Sequence, residues 1–266
     1  MRSLSIAASL WLAGLRGGME YRADFLLTML FGFVREATGF VLIWVILARF
    51  AAIARWTLGD VAFLYGLRVT MHGLVGLGTG NLWGPESRVR QGEFDRYLVR
   101  PASPLLQVLT ERVPLSAFGE VLGGPALFLA ANQLVHVDWT PWALLYLLFA
   151  LVGGALLEPA IRVLIVSLSF RALRVTGLMA IMDDIFSDFG TYPLGIFSAA
   201  LQFVLTFGIP VAFTAYFPAA VLLGRTAALQ VPPIVAYCAP LAGVLWMAFA
   251  LAVFQHELRH YTSAGH

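Results

Sequence analysis

The chain is 266 residues long, 60% apolar and only 12% charged, with a formal net charge of +2 and a mean hydropathy of +0.83. Soluble domains carry about 25% charged residues, so this composition excludes an ordinary soluble enzyme, and the small net charge gives no basis for binding nucleic acid. All seventeen basic residues are arginine; without lysine the chain has neither a phosphate-binding P-loop nor a Schiff-base amine, so any ATP that drives it is hydrolysed by another chain.

Residues 1–22 combine an early arginine with the apolar run LSIAASLWLAGL, which has the outline of a signal peptide. Arg2, Ser5, Ser9 and Arg16 nevertheless share one arc at about 100° per residue, and no convincing small-x-small cleavage site follows. An amphipathic helix lying in the membrane interface fits better. Six apolar stretches come next, over residues 25–48, 61–82, 113–133, 142–169, 193–217 and 234–254. Each is near or above the ~20 residues that cross about 30 Å of hydrocarbon. Trp56, Trp83, Trp139 and Trp142 stand at helix ends, where interfacial aromatic belts form. The predicted fold is an all-α integral membrane protein: six transmembrane helices, an N-terminal interfacial helix, a short helical cytoplasmic loop and no soluble domain.

Orientation follows from the arginines. With the N-terminus inside, eleven lie in the cytoplasm, three (Arg49, Arg55, Arg225) lie outside and three (Arg35, Arg68, Arg162) fall within spans. That positive-inside asymmetry predicts both termini in the cytoplasm and a multi-pass protein of the cell membrane, of bacterial type. Two segments are not expected to span. Residues 176–190, TGLMAIMDDIFSDFG, carry Asp183, Asp184 and Asp188 and are assigned to the cytoplasmic side; residues 218–233, bounded by prolines, are assigned to an external re-entrant segment.

Ionisable residues interrupt the apolar stretches: Arg35 and Glu36 in the first, Arg68 and His72 in the second, Glu120 in the third, Glu158 and Arg162 in the fourth. Such groups face protein or water, because a charge at the bilayer centre costs roughly 2.5–3.5 kcal/mol on insertion scales. Glu158 and Arg162, like Arg68 and His72, are four apart and share a helical face. Two readings stand side by side: these residues line a substrate path, or they are interhelical ion pairs, with Arg35 or Arg68 against Glu120.

The loop over residues 83–112 concentrates charge, with Arg88, Arg90, Glu93, Asp95, Arg96 and Arg100 close together. Gly84-Pro85-Glu86 reads as a helix start, Gly92 as a stop and Ser103-Pro104 as a second start. The loop is thus an ordered cytoplasmic element. Its charge fits a solvated loop that enforces topology, an anion site or a surface for a protein partner. The five histidines and the single Cys238 show no metal-ligand spacing, and no H-E-x-x-H or G-x-S-x-G motif occurs. No catalytic residue, metal ligand or cofactor site is assigned.

Several short patterns occur in order along the chain: Tyr21-Arg22-Ala23-Asp24-Phe25, Gly92-Glu93-Phe94-Asp95 with Arg100-Pro101, Tyr192-Pro193, and Leu205-Thr206-Phe207 with Pro210. Together they resemble the membrane subunits of ATP-binding-cassette exporters of the type-2 permease group, in a branch long catalogued as uncharacterised transport permeases. Asp24 and Phe94 depart from that branch's Asn and Leu. The resemblance implies a six-helix half-transporter that pairs with a second copy or a paralogous permease and binds two cytoplasmic ATPase subunits, which hold the ATP and Mg. It makes the loop the coupling element, carried by Arg88, Arg90, Glu93, Phe94, Asp95, Arg96 and Arg100. Glu93 and Asp95 would then face basic residues of the ATPase, and the arginines acidic ones. An ATP-independent secondary transporter or channel is the alternative; it predicts an inverted repeat, and none is visible.

Overall fold

The computed structural model describes residue 11 and residues 22–47, 52, 54–83, 89, 91–92, 94–100, 103–111, 116–171 and 174–261. Among them all regular structure is helical: α1 (Arg22–Leu47), α2 (Leu58–Thr79), α3 (Asp95–Leu98), α4 (Pro104–Thr110), α5 (Ser116–Asn132), α6 (Pro141–Leu168), α7 (Thr176–Phe189), α8 (Ala199–Phe203), α9 (Tyr216–Leu222), α10 (Pro233–Tyr237) and α11 (Ala239–Arg259). Of the predicted interfacial helix, residues 1–22, only Trp11 and Arg22, the first residue of α1, are described; the Trp11 indole donates to the Leu77 carbonyl at 3.4 Å. The rest of that helix lies outside the described residues.

Three described helices are long and apolar enough to cross a membrane: α1 over Phe25–Leu42, α6 and α11. A bent pair, Ala199–Gly208 with Val211–Leu222, would make a fourth. α2 carries Asp60 and Arg68, and α5 has only 17 residues. Both are nonetheless part of the bundle, because α2 packs along α5, α6 and α1. Its residues 59–71 are all buried, so its charges meet protein rather than lipid. Outward-facing side chains are apolar, such as Leu26, Leu30 and Phe31 on α1 and Leu241, Leu245 and Phe249 on α11, as a lipid-facing surface requires.

Small residues let these helices approach closely, the usual device where lipid removes the hydrophobic drive between helices. Gly66 and Gly73 of α2 lie against the backbone of Phe128 and Val121, and Gly124 of α5 lies against that of Thr70. In the second seam a Cβ on Gly243 of α11 would overlap the Gly153 carbonyl of α6. The two ends of the bundle differ. At one, the hairpin end, the Tyr146 hydroxyl donates to the Ala236 carbonyl at 2.8 Å. Arg225 reaches Asp60 at 2.6 Å and lies over the Trp56 ring at 5.9 Å. At the other, the loop end, α3 and α4 pack under the ends of α2, α6 and α11, and Phe170 meets Phe254 with ring centroids 5.6 Å apart.

The first four predicted stretches match α1, α2, α5 and α6 closely, and the sixth matches α10 and α11. The region around the fifth differs. Residues 193–217 are not one helix: a 3-10 turn at Leu194–Ile196 leads to α8, then a π-helical turn over Val204–Gly208. Pro210 ends that turn, and the chain resumes bent by 76°. The Thr214 carbonyl sits 2.8 Å from where a Cβ on Gly154 would stand, halfway down α6. The bent pair, Ala199–Leu222, overlaps both the predicted fifth stretch and the start of segment 218–233. α7 packs on α6 and reaches toward α2. Asp183 meets Arg162 at 3.0 Å, Phe186 meets Arg68 near the middle of α2, and Gly195 meets Ala54, before α2 begins. Residues 183–195 thus meet, in turn, Arg162 of α6, the middle of α2 and the turn before it.

The second seam sets a prediction. Gly243→Val should lower the thermal unfolding midpoint in detergent, by the order of 1–3 kcal/mol expected of overpacking or more. Gly177→Ala, where an added Cβ meets nothing within 4 Å, should leave it unchanged or slightly raised.

Candidate functional site: a charged cavity among four helices

Helical spacing puts Tyr65, Arg68 and His72 on one face of α2 and Glu158 and Arg162 on one face of α6. These faces turn toward each other. Arg68 and Glu158 form an ion pair with side chains only 5% and 4% exposed. His72 bridges two carboxylates, with Nδ1 at 3.0 Å from Glu158 and Nε2 at 3.8 Å from Glu120 of α5. Arg35 of α1 pairs with Glu120 and, at 2.9 Å, with its neighbour Glu36. The Tyr65 hydroxyl donates to the Glu36 carbonyl at 3.0 Å.

Arg162 holds the loop end of this network. Its Nε lies 3.0 Å from Asp183, its Nη1 donates to the Thr79 hydroxyl at 2.9 Å, and its Nη2 stands 3.9 Å from Glu158, one turn away. The Arg68 guanidinium also donates to the Phe186 carbonyl at 3.2 Å, a second donor to an acceptor in the last turn of α7 that already takes the Gly190 N–H. All seven intramembrane residues singled out by sequence thus belong to one connected network. Arg35 takes Glu120, as one predicted pairing has it, while Arg68 takes Glu158 instead.

The network borders a cavity of about 540 Å³, lined by residues of α1, α2, α6 and α7 and by Trp83, Thr191 and Tyr192. Asp183, Tyr65 and Thr79 join the network, and Asp184 lines the cavity, without an isolated sequence signal. The paired carboxylates of α7, set in an otherwise apolar amphipathic run, are the one feature that could have found it. Among the described residues, no group of His, Cys, Asp and Glu is arranged to hold a metal ion.

Around the predicted coupling loop the outcome is mixed. Phe94 is 4% exposed and packs into a ring cluster with Tyr97, Phe170 and Tyr261, at centroid distances of 5.8, 5.0 and 5.5 Å. It points into the protein and is unavailable to a partner. Burial pushes the Tyr261 phenol up to about 12, with the Asp95 carboxylate beside it adding to the shift. Arg96 pairs with Glu111, and the Tyr97 hydroxyl donates to the same carboxylate at 2.9 Å; burial raises that phenol too. The Gln107 amide donates to the Tyr97 carbonyl at 2.8 Å. What faces outward is Leu98, Val99, which is 85% exposed, and Arg100. Arg88, Arg90 and Glu93 lie outside the described residues.

Compared with known families, the sequence matches the one described as ABC-2 family transporter protein over residues 33–265. The chain belongs to this family. An ABC-2 chain is a permease, the membrane transport subunit of an ABC transporter and not its ATPase, and the family implies ABC ATPase partners. No curated protein and no solved structure matches the chain.

The buried pair in this permease gives a test by double-mutant cycle. Arg68→Met should destabilise the protein by roughly 3–5 kcal/mol, because Glu158 keeps a buried charge without its partner. Adding Glu158→Gln should restore a large part of that loss, read as the thermal unfolding midpoint in one detergent.

Proposed function

We propose that this permease is the path-forming subunit of an ATP-driven exporter. It acts as a homodimer or paired with a related permease, and is moved by separate cytoplasmic ATPases seated on the loop end. The observation that carries this reading is the way residues 94–100 are built. Phe94 and Tyr97 tie the loop to Phe170 at the end of α6 and to Tyr261 beyond α11, while Leu98, Val99 and Arg100 project outward. A partner pressing on that tip would move two long helices, not a floppy segment.

In this reading the loop end is cytoplasmic, as the arginine asymmetry predicts, and the cavity is part of the transport path. α7 makes the fifth crossing, and Ala199–Leu222 re-enter from the outside and turn back at the Pro210 break. Two observations support that topology: Phe186 of α7 meets Arg68 at the middle of α2 with Gly195 beside Ala54 beyond it, and the tip of the bent pair reaches only the middle of α6. ATP binding and hydrolysis on the partner would shift the bundle between inward-facing and outward-facing states, so the energetics lie in differential stabilisation of two conformations.

The exposed tip supplies the experiment. The permease is co-expressed with an ABC ATPase encoded in the same genome and purified in nanodiscs. Val99→Asp should weaken ATPase association about tenfold or more, the scale of one central interface residue, and leave the thermal midpoint unchanged. Unchanged association, or a wild-type protein that captures no such ATPase, would overturn the coupling role of this loop.

A further inference from the structure

We propose that the cavity between α1, α2, α6 and α7 binds a lipophilic organic cation, an inference that rests on its reading as part of the transport path. Its volume of about 540 Å³ lies within the range of small-molecule sites, roughly 300–1,000 Å³. Its walls divide into two chemistries. Tyr65, Trp83 and Tyr192 bring aromatic rings and Leu42 and Val69 bring aliphatic surface, which suits a ligand with a large apolar body. The remainder is charged.

The balance of that charge decides the sign of the ligand. Three guanidiniums, Arg35, Arg68 and Arg162, are each already engaged by carboxylates. Five carboxylates face or back the cavity: Glu36, Glu120, Glu158, Asp183 and Asp184. Protonation of His72 would neutralise one of the two excess negative charges and leave the other. Asp184 lines the cavity and has no ion-pair partner among the described residues. An anion entering here would have to displace an existing partner from an arginine. A cation meets a carboxylate without an ion-pair partner among the described residues, together with aromatic faces, two groups that attract positive charge. Arg35 is the most exposed of the three guanidiniums, yet it is clamped between Glu36 and Glu120.

Tetraphenylphosphonium and tetraphenylborate share size and shape and differ in sign, so they separate charge from fit. Each is titrated as a radiolabelled ion against the full-length permease in nanodiscs, with empty nanodiscs subtracted. The phosphonium should bind saturably and at least about tenfold more tightly than the borate. Asp184→Asn should weaken phosphonium binding about tenfold, while Asp188→Asn, an exposed position that does not line the cavity, should leave it unchanged. If Asp184→Asn lowers the thermal midpoint, Glu36→Gln takes its place with the same expectation. Equal or tighter borate binding, or phosphonium binding indifferent to both substitutions, overturns the inference while the cavity remains a ligand site. Saturable binding of neither ion overturns it together with the path reading. Loss of ATPase association alone leaves it standing.

Discussion

Arg68 and Glu158 sit face to face between α2 and α6, with almost no access to solvent. In surroundings of low dielectric, neither charge is tolerable without the other, and the pair is stable only when further donors and acceptors complete its shell. His72, Arg162 and the Phe186 carbonyl of α7 complete it. Each of these brings its own requirement: His72 ties in Glu120 and through it Arg35, and Arg162 ties in Thr79 and Asp183. One ion pair therefore recruits side chains from α1, α2, α5, α6 and α7. Apolar packing, aided by the glycine seams, brings the helices together, but it is indifferent to small rotations among lipid-like side chains. The polar network is not. It fixes which face of each helix looks inward, and so where the cavity opens and which groups line it.

The sequence made five of the six helical stretches readable because their physics is simple: length, an apolar surface and aromatic residues at the ends. Around the fifth, hydropathy alone did not show the break at Pro210. Hydropathy reports how much apolar surface a segment carries, not whether that surface faces lipid or other protein. Residues 210–220 are apolar because they are packed inside the bundle, with Ala212, Ala215, Phe217, Ala219 and Ala220 almost completely buried, whereas Phe203 and Phe207 before them are exposed. α7 looked superficial because it carries three aspartates, two of which turn toward the cavity. The same ambiguity touched the loop. Phe94 stands among charged residues and so read as part of the surface, whereas the fold uses it as an anchor.

For the site, the ionisable residues within apolar stretches were visible at once, since nothing else in such a sequence carries charge. Their membership of one network was only half visible. Spacing of four along a helix predicts which residues share a face, and that held for Arg68 with His72 and for Glu158 with Arg162. Which helix each face meets depends on rotation about the helix axes, information that a single sequence lacks. Hence Arg35 found the expected Glu120, while Arg68 found Glu158.

The contact between Gly153 and Gly243 carries a mechanical meaning. Two helix backbones that touch, near the middle of α6 and one turn into α11, leave no slip plane, and here they are pinned again above by Tyr146 on Ala236 of α10 and below by Phe170 on Phe254 and Arg171 on Glu257. α6 and α11 are one strut, fastened along its length. Force applied to the Phe94 cluster enters this strut at its base and arrives at the far side of the bundle without being absorbed between the two helices. Any alternation of access must then come from elements that are not fastened in this way, hinging against a rigid post.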